Sequence, residues 1–360
     1  MVTVFCHRIA VFLTLNTALR TAIAAAALAA AALPAAAGDV FDDIRNSGSL
    51  ICLVNPNSPG FSVPDSQGVF QGFNTDFCRM AAAAILGDAG KADIRGIGFS
   101  DSMKAIVARQ AHMASRSITA TGSRDADPGM AFVATTFYDG QGFMVPSSLG
   151  VSSAAELDGA TVCAEDGSTT LLNIADWFGD REMNYRVENI ADKTARLQAF
   201  FSGKCDVYAS DVTALNSDRL LAENPGDYVV LPEIISAEPL TIVTQPDQAL
   251  EAAVFWAFQV MLNADQFGID STNVDAVMAA IDDQPKGVRR LLAADGATAD
   301  MAAKLGLPAD WAYRVISQVG SYGEVFDRHL GAETPFALDR MKTANAPIDA
   351  GGVMYAYPIR

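Results

Sequence analysis

The stretch "SAEPLTIVT", residues 236–244, ends in a short apolar strand, "TIVT", that is followed by no helix–strand unit of its own. Before it the chain alternates strands and helices, and after it the pattern is mostly helical to the C-terminus. A lone strand after a complete unit predicts that the chain crosses back to finish a sheet begun earlier, and two crossings between sheets make a hinge. The unit it follows starts at the strand "GATVCAE" (159–165) and continues through the helix "STTLLNIADWFG", which ends at a glycine, and the strand "YRVENI". The helix "DKTARLQAFFSG", the buried strand "CDVYAS", the helix "DVTALNSDRLLAEN" and the strand "YVVLPEII" complete it.

Upstream lies a first unit of the same kind. "SLICLV" (49–54) is a strand, and "FNTDFCRMAAAAIL" (73–86) is a helix with Asn74 or Thr75 as its cap and Phe77, Met80, Ala81 and Ala84 on one stripe. A strand follows around "ADIRGIGF", then the helix "SDSMKAIVAR" with Ser100 as its cap. This alternation predicts an α/β fold whose parallel sheets are covered on both faces. The crossings are expected near 143–147 and 236–241, which gives lobe 1 residues 38–145, lobe 2 residues 146–238, and a return segment 239–360. That last segment holds the closing strand of lobe 1 and a C-terminal helical extension. The cleft between two such lobes, at strand ends, is where small ligands bind.

Residues 1–37 are read as a secretory signal peptide. His7 and Arg8 open it, an apolar run interrupted by Asn16 and Arg20 follows, and small residues mark cleavage near Ala37. Arg20 splits the run below the ~20 residues that span a bilayer, so the expectation is an exported, soluble, periplasmic chain. Without the leader, 23 basic residues face 42 acidic ones, or −19. A field of that sign repels phosphate backbones and anionic lipid heads, which argues against nucleic acid and membrane surfaces as partners. It also opposes acidic ligands, so any such ligand needs a dedicated local cation.

Export changes the reading of the cysteines, because Cys6 leaves with the leader and Cys52, Cys78, Cys163 and Cys205 remain. Four cysteines allow three pairings. Cys52–Cys78 and Cys163–Cys205 are favoured because each closes within one lobe; free or metal-binding thiols are the rival, without a C-x-x-C spacing to support them.

The candidate cation is Arg124, in "SRSITATGSRDAD" (115–127). Arginine presents a planar fork of donors that fits a carboxylate, and the small hydroxyl residues around it add donors of their own. The stretch has no helical apolar stripe, and it reads either as a cradle for a small anion or as an ordinary surface loop in which Arg124 pairs with Asp125 or Asp127.

With "PGFSVPDSQGVFQGFNTDFCR", "FYDGQGFMV", "LDGATVC", "GKCDVYASD", "LPEIISAEPL" and "GSYGEVFDRHLG" in this order, the chain resembles the periplasmic solute-binding proteins of polar amino-acid ABC transporters. The resemblance is strongest to their general L-amino-acid-binding group, within the bacterial extracellular solute-binding protein family 3. It runs from about Gly48 to the terminal "YAYPIR" and implies the two-lobe, type II periplasmic-binding-protein fold. It also implies a monomer that captures L-amino acids by hinged closure and delivers them to permease subunits in the inner membrane, with no cofactor, no metal and no catalysis.

The resemblance further implies a site. Arg124 would clamp the ligand α-carboxylate, Thr119 would add its hydroxyl and N–H, and Thr169 a backbone N–H from the second lobe. Ser117 would offer its carbonyl to the ammonium group, Asp211 would neutralise it, and Phe61 and Phe99 would flank the side chain. The chemistry is coherent, since an amino acid carries both charges on one carbon and a helix N-terminus near Ser168 suits a carboxylate. Asp211 has a duller account, as the cap of "VTALNSDRLL", and Phe61 and Phe99 have one as core. Two departures stand out: His112 replaces the usual Asp near the expected hinge, and Ala120 replaces a Trp, which would enlarge or flatten the pocket wall. The segment "DADPGMAFVA" is unlike the family's usual apolar run as well.

Enzymatic alternatives lack parts. Beyond the leader only His112 and His329 remain, and no H-E-x-x-H, G-x-S-x-G or G-x-G-x-x-G motif is present. Two alternatives stay open at this point: a binding protein that reports to a membrane sensor or chemoreceptor, and a lyase on the same fold with Glu165 as its acid.

Overall fold

The computed structural model describes residues 40–360, and the leader read at 1–37 lies outside them. From the N-terminal side come α1 (Val40–Ser47), β1 (Leu50–Val54), the small hairpin β2 (Val63–Pro64) and β3 (Phe70–Gln71), and α2 (Phe73–Leu86). Next are β4 (Ala92–Gly96), α3 (Phe99–Val107), β5 (Met113–Thr119), the short α4 (Gly122–Asp125) and β6 (Ala131–Asp139). The second unit holds β7 (Gln141–Pro146), β8 (Ala160–Ala164), α5 (Thr169–Gly179), β9 (Tyr185–Asn189), α6 (Lys193–Phe201), β10 (Val207–Asp211), α7 (Val212–Arg219) and β11 (Tyr228–Val230). The chain ends with β12 (Glu238–Thr244), the long α8 (Gln248–Gln266), α9 (Val274–Ala279), α10 (Lys286–Leu292), α11 (Ala297–Leu305), α12 (Trp311–Gln318) and α13 (Tyr322–Leu330).

Two five-stranded sheets organise these elements, in the orders β4-β1-β5-β12-β6 and β11-β7-β10-β8-β9. The lone strand "TIVT" is the heart of β12, which fills the gap between β5 and β6. The sheets are mixed rather than parallel. β1 runs parallel to β4 and β5, and β8 to β9 and β10, but β12 and β7 are antiparallel to their neighbours. Strands that arrive from the other lobe bring no crossover helix, so nothing imposes the parallel direction on them.

The first crossing falls at Gly140, between β6 of one sheet and β7 of the other, and not at 143–147. "FYDGQGFMV" reads as one continuous β pattern, which hides the switch of sheet. A Cβ at Gly140 would collide with Ile234 Cγ2 and lie 2.8 Å from Ser236 O, so the two crossing segments lie side by side. The second crossing leads into Glu238, which pairs directly with Asp139.

Helix starts also differ from expectation. α2 begins after Gly72, with φ 135°, and neither Asn74 nor Thr75 caps it; Thr75 Oγ1 donates back to Gly72 O at 2.6 Å. A side chain at Gly72 would meet the Phe61 carbonyl. α3 starts after Gly98, which leaves Ser100 inside its first turn. Glycine allows the backbone its tight entry in the first case, and a side-chain cap is dispensable where N–H groups find other partners. α2 is buried nearly all round, Asn74, Thr75 and Asp76 included, because lobe 1 covers it with the C-terminal helices.

Those helices are an integral part of lobe 1. Trp311, Tyr322 and Phe326 are fully buried in its core, and Tyr322 OH donates to Thr136 O of β6 at 2.9 Å. Asp76 of α2 takes Arg328 at 2.9 Å and His329 at 2.8 Å from α13, together with its neighbour Arg79 at 2.8 Å. Burial works against this carboxylate's charge, but His329 and Arg79 prevail and hold its pKa below the usual aspartate value. Each lobe also carries its own disulfide, Cys52–Cys78 from β1 to α2 and Cys163–Cys205 from β8 to the turn before β10. No free or metal-binding arrangement of these four thiols is therefore present.

His112 is not near the hinge. It precedes β5 at the end opposite Thr119, ~20 Å away along the strand. Its Nδ1 accepts the Ile51 N–H at 2.9 Å, and burial lowers its pKa, in keeping with a neutral imidazole that joins β1 to β5.

Candidate functional site

The lobes approach each other across the cleft. Ser217 Oγ of α7 donates to Pro59 O of lobe 1 at 2.9 Å, and Ser58 Oγ lies 3.5 Å from the same hydroxyl. Between them is a polar cavity with ≈ 70 Å³ of space in which a water's centre fits. Arg124, Thr119, Ser117, Thr169, Asp211, Phe61 and Phe99 all line it.

From lobe 1, "SRSIT" is not a surface loop but the inner part of β5, buried at nearly every position. The pairing with β12 slips between Thr241 and Val243, and Ser117 there adopts φ 59°, a left-handed conformation in the middle of a strand. Such bulges interrupt the ladder and re-aim the groups beside them. Asn74 Nδ2 donates to Ser117 Oγ at 3.2 Å. The chain then turns through α4, whose cap Thr121 accepts the Arg124 N–H at 3.3 Å.

This turn brings the Arg124 guanidinium back over β5, where Nη1 donates to Thr119 O at 2.9 Å and the group lies 5.1 Å from the Phe99 ring centroid. Neither Asp125 nor Asp127 pairs with it among the described residues; Asp127 accepts the Gly129 N–H instead, at 2.8 Å. Burial lowers the Arg124 pKa, while Glu238, Asp211 and Glu165 oppose the shift. A guanidinium remains charged under such a shift, so the rest of its donor fork faces the cavity without an anion.

From lobe 2, α5 begins at Thr169 after Ser168, whose hydroxyl donates to Glu165 O at 2.7 Å and caps nothing. The Thr169 and Thr170 N–H groups have no hydrogen-bond partner among the described residues. They present the positive end of an eleven-residue helix to the cavity. The helix is held by Glu238 at the hinge, which accepts Thr169 Oγ1 at 3.3 Å, Asn173 Nδ2 at 2.7 Å and Ser236 Oγ at 2.6 Å.

Asp211 does not cap α7. That task falls to Asp139 at the end of β6, which accepts the Thr213 N–H at 3.2 Å and the Thr213 hydroxyl. Asp211 makes no cap hydrogen bond and no ion pair among the described residues. Burial, followed by the carboxylates of Asp139, Glu238 and Glu165, raises its pKa well above the usual value; Arg124 acts the other way. A carboxyl enclosed among acids and without a donor is a place that a cation would stabilise. Asp139 is itself pushed up to about 6 by burial, with Glu238 opposite it across the hinge.

The two aromatic residues of the lining also pack against the protein itself. Phe61 is core, packed edge-on against Phe73, Phe137 and Phe336, and only borders the cavity. Phe99 is occupied by guanidiniums. Ala120 lies outside the cavity lining and donates its N–H to Pro239 O at 3.0 Å, so its small side chain does not shape the wall.

Several lining residues went unnoticed in the sequence. Arg116 is 5% exposed, donates Nη1 to Ile97 O at 2.6 Å, and lies 5.3 Å from the Phe99 centroid. Its Nε is buried with no partner, and burial brings its pKa down to about 10, against the pull of Glu165. On lobe 2, Lys193 pairs with Asp218 at 2.6 Å and Arg196 with Glu165 at 3.4 Å, while Tyr208 OH donates to Asp218 at 2.9 Å. An arginine in the middle of a small-residue strand was the available signal for Arg116. Residues on α6 and α7 gave none, since charged residues on surface helices are ordinary.

No protein-family model matches the chain. It is 43% identical over 327 residues to the glutamate/glutamine/aspartate/asparagine-binding protein BztA of Rhodobacter capsulatus, which covers 91% of this chain and 95% of that protein. The chain belongs to the amino-acid-binding proteins of ABC transporters. Another family member, the general L-amino acid-binding periplasmic protein AapJ of Rhizobium johnstonii, is 38% identical over 349 residues, covering 96% of this chain and 99% of its own. Among solved structures, a periplasmic binding protein of an ABC transporter from Brucella ovis, with glutathione bound, superposes with a TM-score of 0.85 at 36% identity. That match covers 90% of this chain and all of the other. The arginine-binding protein of T. maritima shares only the fold, with a TM-score of 0.52 at 21% identity over 60% of this chain and 91% of that one. In keeping with this family, no helix among the described residues is long and apolar enough to cross a membrane.

Proposed function

We propose that this family member captures free L-amino acids in the periplasm by closing its lobes on them, and hands them to the permease subunits of an ABC transporter. The observation that carries the reading is a pair of opposite charges left without partners on opposite walls of one cavity, Arg124 on lobe 1 and Asp211 on lobe 2. The α-carboxylate would lie between the Arg124 fork, Thr119 and the free N–H groups of Thr169 and Thr170. The ammonium would lie at Asp211, with the carbonyl of the displaced Ser117 beside it. Because the ligand bridges the lobes, it binds the closed form better and shifts the population towards it. One chain forms both walls, so the reading needs no second copy. Glu165, the acid that a lyase would use, is paired with Arg196.

Isothermal titration of the chain from Gly38 onward with the common L-amino acids tests this. Several should bind at about micromolar Kd or tighter, near −8 kcal/mol. Absence of heat and of thermal stabilisation with every one of them would overturn it.

A further inference from the structure

We propose that Arg116 reads the ligand's side chain and selects amino acids that carry a second carboxylate, an assignment that rests on the amino-acid reading above. The cavity's charges can be sorted by whether the protein already neutralises them. Lys193 and Arg196 face Asp218 and Glu165 at ion-pair distance. Arg116 and Arg124 have no carboxylate within that distance among the described residues, and Asp211 has no cation. What remains is two positive groups and one negative. A dicarboxylic amino acid offers the complement, two carboxylates and one ammonium.

Arg116 is built for such a partner. Its side chain is 95% enclosed, as its 5% exposure shows, and it is anchored by Ile97 O and the Phe99 ring with Nε bare. The fold has therefore already removed it from water, and a ligand carboxylate gains a charged donor without ordering a flexible arm. Both guanidiniums lie beside one ring, at 5.3 and 5.1 Å from its centroid, so their charges stand within about 10 Å of each other. That separation suits the two carboxylates of one small molecule. A neutral side chain would leave Arg116 buried without a counter-ion, and a basic one would set a like charge near it.

The test is calorimetric titration of the wild type, R116Q and R116K with L-glutamate, L-aspartate, L-glutamine and L-alanine. Wild type should favour the two acids. R116Q should lose at least tenfold for them and less than threefold for alanine, and R116K should recover part of the loss. Equal loss for all four ligands, as a purely structural role would give, overturns the proposal, and so does an unchanged preference for acids. L-glutamate against its γ-methyl ester on the unaltered chain keeps the test independent of how the variants fold: at least tenfold weaker binding of the ester is expected, and equal binding refutes the assignment. A wild type that binds none of these ligands overturns the amino-acid reading itself, and this one with it.

Discussion

The two walls of the cleft carry the same kinds of charge and treat them in opposite ways. Lobe 1 holds Arg116 and Arg124 with backbone carbonyls and the face of Phe99, and gives neither a carboxylate. Lobe 2 pairs Lys193 with Asp218 and Arg196 with Glu165, and leaves Asp211 without a cation. Charge is thus unsatisfied positive on one side and unsatisfied negative on the other, and in the proposed function a zwitterion would complete both when the walls meet. The bodies differ as well. Both lobes have a cluster on each side of the sheet, but α8 to α13 thicken one of lobe 1's into a large core, whereas both of lobe 2's are small.

The largest effect should come from removing the positive wall. Arg124→Ala should weaken carboxylate-bearing ligands by about 2–5 kcal/mol, because it strands the ligand's charge in an enclosed site. Calorimetry that shows unchanged affinity would remove Arg124 from the site and end the contrast between the walls.

The contrast between bodies is sharpened by the disulfides. Replacing Cys163 and Cys205 by Ser, or Cys52 and Cys78, should each cost about 2–4 kcal/mol. The lobe 2 pair should show the greater loss in amide exchange protection, since that lobe has less core in reserve. Equal protection loss in both lobes would mean that the extension does not stiffen lobe 1.

Asp211 is the negative wall, and its pKa makes it pH-dependent. An ammonium needs the ionised carboxylate, and the folded-state pKa of Asp211 is raised, so affinity should fall as pH drops while ordinary aspartates are still charged. Binding near that pKa should release a proton. Asp211→Asn should weaken binding by about 1–3 kcal/mol and abolish the proton release. Titrations in buffers of different ionisation enthalpy measure both, and a variant that still releases a proton places the amine elsewhere.

The smallest effects belong to the hinge. A buried carboxyl with a raised pKa costs stability above its unfolded-state value near 3.8, and the cost is relieved as pH falls through about 6. Asp139→Asn keeps an acceptor for Thr213 and should raise stability by on the order of 1 kcal/mol at pH 8, with the gain shrinking towards pH 5. Thermal melts across that range check the sign. A gain that grows as pH falls would show that Asp139 is held charged by the fold.

Much of the first-order architecture was readable from local pattern. Strand–helix alternation gave both units, and the isolated "TIVT" gave the return to the first sheet, because burial on both faces leaves an uninterrupted apolar run. The Gly140 crossing was not readable, because β6 and β7 continue one extended segment and only pairing says which sheet each joins. The candidate site was half legible. Arg124 stood out by its small hydroxyl surroundings, Thr119, Thr169 and Asp211 were named through the family resemblance, and the structure brings all four to one cavity. Arg116 was passed over although it lies in the same stretch, since its burial depends on Phe99 and Ile97 from another element. Phe61 and Phe99 do line the cavity, but their packing against other rings and against the two guanidiniums was not legible, because an aromatic residue before a turn looks the same whether it faces a core, a guanidinium or a ligand.

By itself the sequence determined which segments are strands and helices, that the chain returns to its first sheet, and that an acidic protein keeps a few cations in small-residue surroundings. These depend on neighbours a few residues away, through steric period and local charge. Only the tertiary structure decided which of those charges are neutralised. Asp139 reaching across the hinge to cap α7 is what sets Asp211 free, and the missing acid beside Arg116 is a property of the assembled walls. Pairing is a long-range matter, fixed by where the two sheets meet, and no window along the chain contains it.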